Sequence, residues 1–171
     1  MLMLEPAKII EKAKNSSFYR KLLNWSLDRM VPFNKPHGFR VEEIGDFHIK
    51  TKIPYIKNNF NHIRGLHACA LATLSEFTTG FLLVSKLDAK KYRLIMQRLE
   101  MDYHYQGKMD AFAEFGITEE WLQNEIYSPL SKAQAVVVTC VVKITDARGN
   151  QLTTGHVHWQ IKDWGKVKTK T

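Results

Sequence analysis

Apolar positions along the chain change period several times, and each change marks a different kind of element. Residues 6–30 read as helical. Pro6 suits a first helical turn, and Asn15, Ser16 and Ser17 interrupt the pattern and offer N-caps for a second helix. In that second helix Phe18, Leu22, Trp25 and Arg29 share one face, with Tyr19, Leu23, Ser26 and Met30 beside them. A basic amphipathic stretch can lie on a membrane; packing against its own domain is the preferred reading. Pro32 and Pro36 end the segment. From residue 38 the period falls to two: Phe47, Ile49 and Ile53 alternate with His48, Lys50 and Lys52, as in a half-buried strand. Phe39 and Val41 suggest a partner strand, with Gly45 and Asp46 turning between the two.

Residues 66–84 return to helical spacing, with Leu66, Ala70, Leu74, Phe77 and Phe81 in register. The other faces carry alanine, cysteine, serine, threonine and glycine, and Glu76 is the only charge between Arg64 and Lys86. A helix that is apolar or small all round is a buried helix.

Beyond it strands dominate. Ile95, Leu99, Met101, Tyr103 and Tyr105 mostly keep a two-residue period, and Gln106-Gly107 reads as a turn into 109–115. Residues 118–127 suit a short helix capped by Thr118. Residues 133–145 are β-branched and apolar on both faces, as in a central strand. A hairpin turn at 146–150 leads to a last strand with Val157, Trp159 and Ile161 facing in. The expected order is helices, two strands, one long buried helix, then four strands in meander. A lone helix without a charged face must be wrapped by the sheet. The expected class is therefore α+β with the hotdog architecture, divided into a helical extension (1–36), a hotdog domain (37–165) and a basic tail (166–171).

Composition changes this picture little. The 171 residues are 44% hydrophobic and 25% charged, as in one ordinary globular domain. No uninterrupted apolar run suggests a membrane span, and the start lacks a signal-peptide pattern. Two cysteines support no disulfide framework, and Cys69 and Cys140 read as small buried hydrophobes. A cytoplasmic location is the expectation. The net charge of +8 suits nucleic acid, a membrane surface or an anionic ligand, and equally well solubility alone. No segment clearly interleaves many Lys or Arg with aromatics, so nucleic-acid binding is not expected. His156 and His158 could share a strand face, but no third ligand is identifiable, and no metal is assigned.

The candidate chemistry sits where the buried helix begins. Asn58, Asn59, Asn61, His62, Arg64 and His67 cluster there, and Gly65 allows a tight turn into the helix. Unpaired N–H groups at a helix N-terminus can stabilise an oxyanion. Glu76 lies nine residues beyond His67, on the opposite side of the helix and ~13 Å along its axis. Two groups so placed cannot serve one substrate within a chain. An antiparallel pairing of two such helices across a two-fold axis would unite them.

Asn61-x5-His67-x8-Glu76 resembles the signature of PaaI-type and related hotdog thioesterases: an Asn, a His-Gly-Gly at the helix start, and an acid on the helix. The resemblance covers roughly residues 38–163, and the chain looks most like the uncharacterised, DUF4442-type branch. Ala68 and Cys69 replace both glycines, and Glu76 replaces the commoner Asp. The resemblance implies that Glu76 of one subunit acts as nucleophile or water-activating base. It implies that Asn61 of the other positions the water or thioester, the Ala68 N–H polarises the carbonyl, and His67 orients the loop and Asn61. Gly65, Arg64 and His62 are the expected substrate-binding residues. The implied substrate is an acyl-coenzyme A or acyl-carrier thioester, the implied assembly a homodimer or dimer of dimers, and no cofactor is required. Two other readings stay open: a non-catalytic acyl-binding dimer, and an acyl dehydratase suggested by the separation of His62 and Glu76 although its proline-containing loop is missing.

Overall fold

The computed structural model describes residues 6–166. Helices α1 (Pro6–Ala13) and α2 (Ser17–Met30) form the N-terminal extension, and Ser16 caps α2 by accepting the Tyr19 N–H. A 3-10 turn over Pro32–His37 leads into β1 (Arg40–Ile44) and β2 (His48–Ile53). Then come α3 (Ala68–Lys86), β3 (Tyr92–Tyr103) and β4 (Ala111–Gly116). Two short helices, α4 (Glu119–Leu122) and α5 (Ser128–Lys132), flank a π-turn, and Thr118 caps the first through the Trp121 N–H. The last strands are β5 (Ala135–Asp146) and β6 (Gln151–Asp163), joined by a turn in which Asp146 accepts the N–H groups of Arg148 and Asn150. Of the basic tail, residues 167–171 lie outside the described residues.

The six strands form one antiparallel sheet in the order β1-β2-β4-β5-β6-β3. This corrects the expected meander. β3 pairs with β6, from Tyr92 opposite Asp163 to Tyr103 opposite Thr153, and β4 pairs with β2 and β5. The segment after β3 is a crossover, not a hairpin. His104 donates its N–H to the Leu152 carbonyl, and Gly107 accepts the Leu66 N–H. A Cβ at Gly107 would come within 2.8 Å of the Leu152 side chain, so a larger residue at this close crossing would have to push that side chain aside. Alternation marks a strand and its faces, but it carries no information about which strand lies alongside.

The sheet wraps α3. Leu74, Leu82 and Leu83 are fully buried against sheet residues such as Ile53, Ile144, Leu152 and Ile161. By length and composition α3 could cross a membrane, yet its apolar residues face the sheet. Its buried hydroxyls are paired: Thr78 with Thr51 (2.6 Å), and Thr79 with the Trp159 indole N–H (3.0 Å). Gly80 lets that indole lie flush, because a Cβ there would come within 2.6 Å of the ring.

Two expectations about burial fail. Leu23 and Leu27 are the buried residues of α2, while Phe18 and Trp25 are exposed. The expected aromatic face looks outward because the aliphatic stripe on the opposite side seats the helix. Cys69 is exposed in the first turn of α3, unlike Cys140, whose thiol burial pushes up to about 12.

Candidate active site at the start of the buried helix

The chain reaches α3 through a tight loop built on Asn61. Its N–H donates to the Gly65 carbonyl (2.8 Å), and its Oδ1 accepts the N–H groups of Ile63 (3.1 Å) and Gly65 (2.9 Å). Asn61 is therefore a loop former first, and its Nδ2 is what remains to meet a ligand. His62, Ile63 and Arg64 stand exposed at the tip. The left-handed residue of the turn is Arg64 (φ 59°), not Gly65, and the Tyr55 hydroxyl fixes it by donating to the Arg64 carbonyl (2.5 Å). Gly65 is buried beside the Gln106 side chain, so it closes the loop and offers little surface to a ligand.

His67 is the N-cap of α3. Its Nδ1 accepts the Cys69 N–H at 3.0 Å, which in the neutral ring puts the proton on Nε2. Its own N–H donates to the Asn59 carbonyl (2.8 Å), so His67 is tied to Asn59 and shares no hydrogen bond with Asn61. Ala68 is the first helical residue, and its N–H has no hydrogen-bond partner among the described residues. That N–H is an outward donor at the positive end of the helix dipole. The Tyr103 hydroxyl, half exposed at the end of β3, donates to the Ala68 carbonyl (3.0 Å).

Asn59 is fully buried and holds three segments at once. Its Nδ2 donates to the carbonyls of His37 (2.8 Å) and Pro54 (2.9 Å), which fixes the amide orientation. Its Oδ1 must then accept from His37 Nδ1 (2.8 Å), so the neutral His37 keeps Nε2 free of a proton. His37 and His67 both line a pocket of about 210 Å³ at the helix start, walled by Phe33, Phe39 and Phe60 and reaching Cys69 and Thr73. The 3-10 turn of the N-terminal extension thus supplies one wall.

Glu76 lies two turns further on. Cys69, Thr73 and Glu76 fall on one side of α3, and this side is only partly covered, with Ala72 next to it. The Glu76 carboxylate has no hydrogen-bond partner among the described residues, and burial raises its pKa above the ordinary glutamate value. The structure therefore gathers Asn61, His62, Arg64, Gly65, His67 and Ala68 around the helix start. It leaves Glu76 ~12 Å from Ala68 along the helix axis.

Sequence reasoning passed over His37 and Tyr103, and it left Asn59 as one polar letter among several. Nothing local marks His37, which comes from another segment. The doubled Asn58-Asn59 was the available signal. Among the described residues no group of three ligating side chains gathers. His156 and His158 instead face Asp102 (3.9 Å) and Glu100 (2.9 Å) as strand-surface pairs.

The fold is that of the hotdog thioesterases. The chain is similar to a probable thioesterase of unknown function from Pseudomonas aeruginosa, with 20% identity over 84% of this chain and 95% of the other and a TM-score of 0.76. It is similar to a protein of unknown function from Chlorobaculum tepidum, with 12% identity over 88% and 98% and a TM-score of 0.72. It is also similar to a thioesterase from Haemophilus influenzae, with 10% identity over 88% and 95% and a TM-score of 0.66. No curated protein sequence matches it. Residues 19–161, from the middle of the N-terminal extension through the last strand, match the model of a domain of unknown function, DUF4442, and the chain belongs to that family.

Proposed function

We propose that this chain hydrolyses an acyl thioester, of coenzyme A or of an acyl carrier, at a site completed by a second copy. Glu76 carries the reading. It is the one carboxylate of the core helix, half-buried, unpartnered among the described residues, and pushed towards its neutral form by burial. Groups so isolated concentrate at active sites, and a raised carboxyl pKa suits proton transfer near neutrality.

Two features support the second copy. β3 is a 12-residue edge strand that exposes Ile95, Met96 and Tyr103 among Arg98, Glu100 and Asp102, and a long open edge offers backbone groups to another strand. Ala72 is midway between Ala68 and Glu76, and it and neighbouring Thr73 are small and only partly covered. Two α3 helices crossing antiparallel at Ala72 would bring Glu76 of each level with Ala68 of the other.

In this reading Glu76 takes a proton from water, whose oxygen attacks the thioester carbon. The Ala68 N–H receives the developing oxyanion. Collapse breaks the carbon–sulfur bond, and the leaving thiolate takes the proton back from Glu76. Direct attack by the carboxylate is the other route open to it. Asn61 Nδ2 orients the water or thioester, and His67 holds the helix start. His62 and Arg64 at the rim suit anionic phosphates of the carrier, while buried Gly65 only shapes the loop.

The test is thiol release from a panel of acyl-coenzyme A esters by wild type, Glu76→Ala and Ala68→Pro. Proline fits the first helical position, and His67 already has the extended backbone (ψ 139°) that precedes proline, so this change deletes the N–H and keeps the helix. Each variant should lose roughly 100-fold or more in kcat. Co-assembled with each other, the two should regain activity, since one of the two sites is then whole. Binding without turnover across the panel would assign an acyl-binding dimer, and full activity in Glu76→Ala would remove the assignment of that residue.

A further inference from the structure

The outward side of α2 has an unusual composition for a side facing water. Opposite the buried Leu23 and Leu27 it carries Phe18 (68% exposed), Lys21, Trp25 (48%) and Arg29. The exposed apolar run continues through Met30, Val31 and Phe33. The sequence already places Phe18, Trp25 and Arg29 on one face, and the fold turns that face outward. The Arg29 guanidinium lies 3.4 Å from the Trp25 ring centroid, so cation and indole present one surface. The single carboxylate of α2, on Asp28, is bonded to Arg40 (2.9 Å) and leaves Lys21 and Arg29 without an acidic neighbour on the helix.

We propose that this face docks the protein on an anionic lipid bilayer, with Phe18, Trp25 and Phe33 at the level of the headgroups and Lys21, Arg29 and Lys35 on the lipid phosphates. Aromatic rings with a polar edge or a neighbouring cation favour that boundary, and each basic side chain near an anionic leaflet adds attraction. The charges argue against a second copy as the occupant. A two-fold contact presents the same patch to itself, so Lys21 and Arg29 would meet their own kind. The net charge of +8 favours an anionic surface in the same way. Phe33, exposed in the turn that follows α2, also lines the pocket at the start of α3, so its docking places that pocket beside the lipid.

The experiment is co-sedimentation of the full chain with vesicles of phosphatidylcholine alone or mixed with phosphatidylglycerol. Wild type should bind the mixed vesicles at least about ten-fold more tightly than the neutral ones, and less so as salt rises. Lys21→Glu/Arg29→Glu should lose that binding, and Phe18→Ser/Trp25→Ser should weaken it about ten-fold with an unchanged circular dichroism spectrum. Lys132→Glu/Lys143→Glu changes the net charge equally at exposed positions outside α2 and should bind like wild type. Equal binding by wild type and the α2 variants, or equal loss in the control, would overturn the proposal. So would a wild type that ignores vesicles but forms larger assemblies that Phe18→Ser/Trp25→Ser dissolves, which would give the face to a second copy.

Discussion

α2 and α3 are both rich in apolar residues, and the fold uses them in opposite ways. In α3 the apolar residues face a sheet that wraps the helix, and the one carboxylate marks where the wrapping stops. In α2 two leucines seat the helix, while Phe18 and Trp25 point outward. Apolar content therefore says that a surface wants covering, and the neighbouring elements decide which surface is covered within the chain.

The sharpest contrast is between Leu74 and Phe18. Leu74→Ala empties a fully buried site in α3 and should cost ~2–5 kcal/mol, a fall in Tm of roughly 5–20 °C by thermal unfolding. A smaller effect separates Glu76 from the rest of α3. Its carboxyl binds a proton more tightly folded than unfolded, so its ionisation weakens the fold as pH rises above the ordinary glutamate value. Glu76→Gln should therefore melt higher than wild type at neutral pH, and the gap should close as pH falls towards that value. A gap that widened in acid would show that the carboxylate is stabilised by a partner in the folded protein. The smallest effect is at the exposed aromatic. Phe18→Ser should change stability by no more than ~0.5 kcal/mol in denaturant titrations. A loss comparable to that of Leu74→Ala would mean that the outward face of α2 is covered in the native assembly.

Much of the fold was legible because local periodicity sets it. The core helix, the inward faces of β2 and β6, the Thr118 cap and the turn at 146–150 follow from spacing and turn chemistry alone. The order of strands was not legible, since β3 and β6 alternate equally well beside any neighbour. Nor was the seating of α2, where an aromatic stripe and an aliphatic stripe lie on opposite sides of one short helix. At the candidate site the sequence located the loop, the start of the helix and its acid, while the capping by His67 emerged only with the fold. It missed the buried link through Asn59, because His37 and Pro54 meet Asn59 only once the chain is folded. Asn61 showed the reverse: its letter suggested a ligand-facing amide, while its oxygen is taken up by the turn.

The pairing of β3 also sets a schedule for synthesis. Tyr103 pairs with Thr153 and Tyr92 with Asp163, so β3 leaves the ribosome well before the strand that will hold it. At ~5–20 residues per second, those ~50–70 residues take roughly 3–14 s. During that interval Ile95 and Met96 lie on a strand with no neighbour in the nascent chain. A ribosome stalled before β6 would present this strand to chaperones with both edges open, and the last strand made closes one of them.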